Sequence, residues 1–394
     1  MSNLKNIDDV FEPTHDEVSR QRFVSILRKR VLGEFAKDMQ TVYSHTVEPR
    51  CERKNGRKPK TGIEVRKAML DQPIFQEWSA LRHNAQLMTW WSVQPAVERK
   101  LPEFIQVAKD AAAATPAGGS LRLNPSTAIP ATVTELDVHL MPGCFHSEHL
   151  ADDVAQGAVL QHGGRVFSGA LTRGGSNSGW GATTARALKI KFPDFAPKSY
   201  LDLGCAVGKE MFKVIEVYPG MDNHAIDVGA PVLRYAHARA EATGVRVHFR
   251  QQNAETLDYP DNSFDFVTSS FFFHEISVKS SKAILKEVFR VLKPGGLMIN
   301  QELIPVSLVT GPYEDFVIDW DAYYNNEPYY YQFRHQDLRT LFAEAGFKPK
   351  NYLQFRIPMY GTCPDATFAA AVRGEPVPPS GAHGPRWFSF GAWK

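Results

Sequence analysis

The chain has 394 residues, 43% hydrophobic and 22% charged, a globular composition with room for one large domain or two smaller ones. Its 45 Lys+Arg against 43 Asp+Glu leave a formal charge of +2, so no overall field draws it to nucleic acid or to an anionic membrane. No window is long and apolar enough to span a bilayer, and the opening MSNLKNIDDVFEP lacks the apolar core of a secretory signal. Cys51, Cys144, Cys205 and Cys363 lie far apart with no CxxC, so reduced thiols in a cytoplasmic protein are expected.

Thr14 to Tyr43 is predicted helical. Thr14 and Glu17 match a capping box, and Phe23, Leu27, Val31, Phe35 and Met39 recur every fourth position as an apolar stripe. EPRCERKNGRKPK is basic, polar and closed by Pro59, and reads as a solvated loop. From Pro73 the chain resumes helix, with Pro95 and Pro102 as breaks or bends, and Trp78, Trp90 and Trp91 read as core or interface. AAAATPAGGS, from Ala111 to Ser120, is small and uncharged and is the candidate linker. Leu121 to Gly181 is irregular, and HGGRVFSGALTRGGSNSGWGATT reads as an ordered loop region carrying Phe167, Leu171 and Trp180.

Beyond that point strands and helices alternate. SYLDL, HAIDV, VRVHFRQQ, FDFVTSS and LMINQEL are predicted strands. KEMFKVIEVY, VLRYAHARAEATG, KAILKEVFRVL and HQDLRTLFAEAGF are predicted helices, and KNYLQF and ATFAAAV are candidate final strands. Such alternation predicts an α/β, doubly wound Rossmann-like sheet, mostly parallel with an antiparallel last strand, behind a mainly helical N-terminal region. The boundaries expected are a helical domain over 1–115, a connecting, substrate-side segment over 116–185, the α/β domain over 186–375 and an aromatic tail over 376–394. The tail begins as a Pro-rich arm, and its Trp387, Phe388, Phe390 and Trp393 predict packing against the body or a partner subunit. With the apolar stripes of the N-terminal helices, they suggest a homodimer.

The stretch YLDLGCAVGKE, residues 200–210, reads as a buried strand, a glycine-bearing turn and a helix start. In a doubly wound sheet this turn holds the ligand, because glycines admit close backbone approach and the helix start offers free amide donors. Asp227, in HAIDV, stands where an acid accepts both ribose hydroxyls. A nicotinamide dehydrogenase would share this much, but the loop reads G-C-A-V-G rather than G-x-G-x-x-G.

The loop, Asn253-Ala254 ahead of DYPDNSFDFV, and EVFRVLKPGG leading into LMIN together resemble the class I S-adenosylmethionine-dependent methyltransferases, in particular the small-molecule branch with the ubiquinone and menaquinone enzymes. The resemblance spans Tyr200 to Glu302 and is weaker from His335 to Arg373. It implies that Asp202, Gly204, Cys205, Ala206 and Gly208 surround the methionine part of the cofactor. Asp227 would hold the ribose, Val228, Asn253 and Ala254 would meet the adenine, and Ser270 and Phe271 would border the sulfonium. Ala206 departs from a frequent glycine, adding a methyl group, and Asn253 from a frequent aspartate.

Methyl transfer is an in-line displacement from an activated donor, so alignment and exclusion of water carry most of it. A base is needed where the nucleophile must shed a proton, and His274 in SSFFFHEIS is the first candidate, with Glu275 to orient it or act alone. The segment GPYEDFVIDWDAYYNNEPYYYQFRH lies where related enzymes carry a substrate lid. Its Tyr313, Trp320, Tyr323, Tyr324, Tyr329, Tyr330 and Tyr331 suit a partly aromatic or amphipathic small substrate, or else pack on the N-terminal helices, and the first four are assigned to substrate. Asp137, His139, Cys144, His146, Glu148 and His149 are metal-capable within a short span but match no standard zinc pattern. His146 and His149 are therefore assigned to substrate contact and no metal is assigned.

The expected activity is methylation of a small organic molecule, at oxygen ahead of nitrogen, sulfur or carbon. No N/D-P-P-Y element or basic face marks a nucleic-acid methyltransferase. A protein methyltransferase, a non-catalytic cofactor-binding scaffold and a nicotinamide-dependent oxidoreductase remain as alternatives.

Overall fold

The computed structural model describes residues 4–169, 179–376 and 386–394. Leu171, residues 377–385 of the Pro-rich arm and the Trp387 side chain lie outside the described residues. The core is one sheet of eight strands, β1 (Ser120–Arg122), β2 (Ser199–Leu203), β3 (Asp222–Asp227), β4 (His248–Gln251), β5 (Phe264–Ser270), β6 (Leu292–Glu302), β7 (Tyr352–Pro358) and β8 (Arg386–Trp393). Their spatial order is β1-β4-β3-β2-β5-β6-β8-β7, parallel throughout except β8, which runs antiparallel to both β6 and β7.

Alternate residues along each strand face opposite layers, which is why both faces carry helices. Leu201, Leu203, Ile226, Val267 and Met298 bury against helices Val278–Val291 and Leu338–Glu344. Tyr200, Ala225, Phe249, Phe266, Leu297 and Ile299 bury against Trp180–Lys191, Lys209–Val217 and Ala230–Thr243. The doubly wound, mostly parallel architecture is as the sequence predicts.

The last strand is not where it was expected. ATFAAAV forms helix Asp365–Arg373, since alanine favours helix, Pro364 precedes its first turn, and Gly374 ends it at φ 77°. The antiparallel strand comes instead from the aromatic tail, which inserts between β6 and β7. Phe388, Phe390 and Ala392 alternate into one core layer, and a Cβ at Gly391 would fall 2.0 Å from Met298 O. The tail is thus part of the sheet rather than a segment beyond it.

At the N-terminus the capping box forms: Glu17 N donates to Thr14 Oγ1 at 3.3 Å and Thr14 N to Glu17 Oε2 at 2.7 Å. The helix continues as His15–Arg30, Ala36–Val42 and Glu48–Asn55, joined by π-helical turns Val31–Phe35 and Tyr43–Val47. It therefore takes in much of the supposed basic loop, with Pro49 tolerated in the first turn of its last segment. The buried positions are Glu17, Gln21, Val24, Arg28, Val31, Met39, Tyr43 and Val47, and Phe23 is 56% exposed. Leu27, Val31, Phe35 and Met39 of the predicted stripe do share one apolar cluster, and only Phe23 turns out of it. A fourth-residue stripe drifts about 40° per step around a 3.6-residue helix, and the wider π-helical turn Val31–Phe35 takes up part of that drift.

Helices Pro73–Trp91 and Gln94–Ala114 form as expected, the latter running through Pro102. Trp78 and Trp90 are buried, but Trp91 is half exposed. The candidate linker is tied down at both ends. Its alanines close helix Gln94–Ala114, and the buried Glu241 carboxylate accepts from Ala117 N at 2.7 Å and Gly119 N at 2.8 Å. The expected irregular segment supplies β1 at the sheet edge and helix Ala155–Ser168, and Trp180 opens the next helix. No helix among the described residues is long and apolar enough to cross a membrane.

Candidate functional site

At the carboxyl ends of the central strands lies a cavity of 440 Å³. One wall is the turn after β2. Gly204 has φ 63°, and a Cβ there would meet the Phe272 ring at 2.5 Å, so conformation and space both demand glycine. Ala206 also sits at positive φ, 46°. The departure from glycine therefore costs more than a methyl group: an L side chain is held in the left-handed region. Ala206→Gly should relieve roughly 1–2 kcal/mol of strain against about 0.5–1 kcal/mol of added chain entropy, raising the thermal midpoint modestly in differential scanning fluorimetry.

Asp227 stitches this turn to the end of β3. Its two oxygens accept from Ala206 N and Gly229 N, each at 2.9 Å. Asp202 lies behind the turn, buried, accepting from Thr268 Oγ1 at 2.5 Å and Tyr200 Oη at 3.4 Å. Burial outweighs those hydrogen bonds and pushes its carboxyl up to about 7.

Of the residues assigned to the cofactor, Asp202, Gly204, Cys205, Ala206, Asp227, Val228, Asn253, Ala254, Ser270 and Phe271 all line this one cavity. Gly208 does not; at φ 73° it caps helix Lys209–Val217. Asn253 is occupied by its own chain, its Oδ1 accepting from Glu255 N at 2.9 Å and its Nδ2 donating to Ala128 O at 3.1 Å. It pins the connecting segment over the cavity mouth. Cys205 is buried, which pushes its thiol well up, so it fills space without nucleophilic character.

The opposite wall carries His139, Phe145, Ile276, Tyr329 and Glu275. His274 is not on it. Its ring is buried behind, with Nδ1 2.7 Å from Glu302 Oε2 and Nε2 3.3 Å from Glu275 Oε1. The expectation that His274 meets the acceptor is corrected accordingly: Glu275 and His139 face the cavity, and His274 sits where it can position Glu275. His139 Nε2 is 2.7 Å from Glu275 Oε1, and its Nδ1 is 3.0 Å from Glu327 Oε1.

Two imidazoles and three glutamates thus share one nest. Burial alone would depress both histidines, but Glu275 and Glu327 hold His139, and Glu302 and Glu275 hold His274, well above the ordinary histidine value. Burial opposes ionisation of Glu275 too, yet His139 and His274 keep its carboxyl well below the usual range. Glu327, more deeply buried, is pushed up.

The N-terminal helices place His139. Trp90 Nε1 and Gln86 Nε2 donate to its carbonyl at 2.8 and 3.1 Å. His139 and Leu140 both have positive φ, 57° and 56°, a strained backbone held by its surroundings.

The other substrate assignments do not reach the cavity. Tyr313, Trp320 and Tyr324 pack with Phe75, Trp78, Val65 and Met69 of the N-terminal helices. Tyr323 is 44% exposed beneath the Arg66 guanidinium. Their apolar rings were wanted by a helical region whose own hydrophobic face needed cover. Tyr329, part of the same aromatic run but not among the residues assigned to substrate, is the segment's contribution to the cavity wall. His146 borders a separate surface pocket of 350 Å³ with Asp137 and Asn326. His149 offers its backbone N–H to Asp153 at 2.8 Å and lies away from both.

Residues 201–296 match the family described as a methyltransferase domain. The chain carries a class I S-adenosylmethionine-dependent methyltransferase domain. A demethylmenaquinone methyltransferase of Thermus thermophilus is 36% identical over 110 residues, 28% of this chain and 49% of that protein. The ubiquinone/menaquinone biosynthesis C-methyltransferase UbiE of Vibrio cholerae is 32% identical over 171 residues, 39% of this chain and 65% of that protein. The chain thus spans 49% and 65% of the length of these two relatives. Among solved structures, a phosphoethanolamine N-methyltransferase 2 of Haemonchus contortus bound to S-adenosyl-L-methionine matches 55% of this chain and 53% of its own, at 18% identity and TM-score 0.38.

Proposed function

We propose that the chain transfers the methyl group of S-adenosylmethionine to a small organic acceptor, at an oxygen whose loss of a proton the ionised Glu275 assists by accepting the hydroxyl's hydrogen bond. The observation that carries this reading is the single cavity in which the methyltransferase loop, Asp202 and Asp227 face the Glu275–His139 pair across the space where an acceptor would sit. When bound, the cofactor supplies an electrophilic methyl group. Asp227 accepts from its ribose hydroxyls with the lone pairs left over from Ala206 N and Gly229 N. Gly204 lets the backbone come close, and Phe145, Ile276 and Tyr329 exclude water around the acceptor. Methylation at a carbon activated by a neighbouring hydroxyl is the second reading, favoured by the name of the Vibrio cholerae relative. It would need the same deprotonation.

Calorimetric titration of the purified chain with S-adenosylhomocysteine, with NADH as control, tests the reading. Micromolar binding of the first alone is expected, and no binding would overturn it. Asp227→Ala should weaken that binding about 100-fold, because two ribose hydroxyls lose their acceptor while two backbone amides lose theirs. Undiminished affinity would remove Asp227 from the ribose.

The cofactor's amino group fixes a pH dependence. Apo Asp202 holds its proton up to about 7, whereas a bound ammonium favours the ionised carboxylate. Binding therefore releases a proton below that value, and affinity is lost as pH falls. S-adenosylhomocysteine affinity should rise about tenfold from roughly pH 6 to 8 and then level off. A flat profile in the same titration would separate Asp202 from the amino group.

A further inference from the structure

We propose that His139, His274 and Glu275 bind one divalent transition-metal ion at the acceptor end of the cavity, with Glu327 as a further oxygen donor. One ligand atom from each of the first three lies within 4.8 Å of the others. Donors about 2.0–2.1 Å from a tetrahedral ion stand about 3.4 Å apart. Glu275 Oε1 is 3.3 Å and Glu327 Oε2 3.8 Å from His274 Nε2. The His139–Glu275 contact is shorter, 2.7 Å, and an ion taking the place of the proton there would widen it by about 0.5–0.7 Å.

Both rings are presented as metal-bound histidines are. Such a ring usually gives its remote N–H to a carboxylate, which fixes its tautomer and its direction. Here the His274 Nδ1 is held by Glu302 at 2.7 Å and the His139 Nδ1 by Glu327 at 3.0 Å, so that both Nε2 atoms converge on Glu275. These four contacts join residues from four separate stretches of the chain, which no local motif would bring about.

A second observation points to a ligand independently. Glu327 is 3% exposed, and its Oε2 has no hydrogen-bond partner, although Oε1 is taken by His139 and Asn325. A buried carboxylate oxygen left unmatched is costly, and a cation in the nest would meet it. Two imidazole nitrogens with carboxylate oxygen suit zinc, iron(II), cobalt or manganese, whereas magnesium and calcium take oxygen-only sets. His139 and Glu275 border the cavity, so an ion that expands from its four protein donors to a fifth position would meet the acceptor there and ease loss of a hydroxyl proton.

The test reads the metal itself, and so is separate from the methyl-transfer reading. The full chain, stripped with a chelator, is titrated with cobalt(II) while its visible d–d absorption is followed. One ion per chain at micromolar or tighter affinity is expected, displaced by one equivalent of zinc and not by millimolar magnesium. His139→Gln and Glu275→Gln should each abolish the tight site. Wild-type protein that binds no ion at this stoichiometry, or variants that bind as wild type does, would overturn the proposal. X-ray absorption on the zinc-loaded wild type needs no variant: a shell with two imidazoles is expected, and one without them would overturn the proposal too.

Discussion

Arg334→Met is expected to destabilise the chain by about 3–5 kcal/mol, more than any surface substitution. The guanidinium is wholly buried. It pairs with Asp315 at 2.9 Å and with Asp319, and its Nε donates to Ile304 O at 3.1 Å. Asp315 in turn accepts from Gly62 N at 3.2 Å, so the same knot ties the aromatic segment to the N-terminal helices. Methionine fills much of the volume but leaves two carboxylates buried without their cation. Burial already pushes Asp319 up to about 6 with Arg334 beside it. Without the arginine, folding would have to leave that carboxylate protonated, so the defect should deepen as pH rises from about 5 to 8 and shrink in acid. Urea titration at the two ends of that range measures both. Replacing Asp315 and Asp319 by leucine in the same background should recover much of the loss, because apolar side chains need no counter-charge. If the triple variant were no more stable than Arg334→Met, packing rather than charge would be the cause.

The α/β half was legible because its signals are local. Strands β2 to β6 each show as a short apolar run ending in a turn, and the loop at Gly204 announces itself by residue type. The N-terminal helices were legible in kind but not in extent, since π-helical turns let the helix pass through a basic stretch that composition marks as loop. β8 was misplaced because strand identity at the sheet's end depends on partners. RWFSFGAW becomes a strand through pairing with β6 and β7, while ATFAAAV follows its alanine propensity.

The residues expected at the cofactor fall almost entirely on one cavity, for one physical reason: in a doubly wound sheet they follow the ends of consecutive strands. The opposite wall was legible only in part: Glu275 and His139 stand out in the sequence, but Glu302 and Glu327 do not, because the four meet only after the N-terminal helices, β6 and the aromatic segment have packed. Two signals were nevertheless present. One is an acid closing β6, Glu302, where a strand end opens onto the site. The other is the histidine- and acid-bearing stretch ELDVHLMPGCFHSEHLADD around His139. The tyrosines misled because an aromatic run satisfies a core as readily as a pocket, and a helical region with exposed apolar faces stood ready to take them.

Glu275→Gln should reduce turnover at least about 100-fold while leaving S-adenosylhomocysteine affinity within about twofold of wild type. The side chain keeps its volume and its place on the cavity wall, so nothing in the loop around Gly204 or Asp227 is disturbed. What it loses is the negative charge that faces His139 at 2.7 Å and His274 at 3.3 Å. An amide cannot take a proton from an acceptor hydroxyl, and it is a poor ligand for a transition-metal cation, so both roles argued for this residue fail together. The two are told apart by the acceptor. If Glu275 acts as the base, acceptors with a more acidic hydroxyl should recover turnover in the variant, since they arrive already ionised. If it acts by holding an ion, excess cobalt or zinc should recover part of the turnover instead. Full activity in Glu275→Gln would place the acceptor elsewhere in the cavity, away from the His139 wall, and would leave the buried nest as a structural joint between the helical region and the sheet.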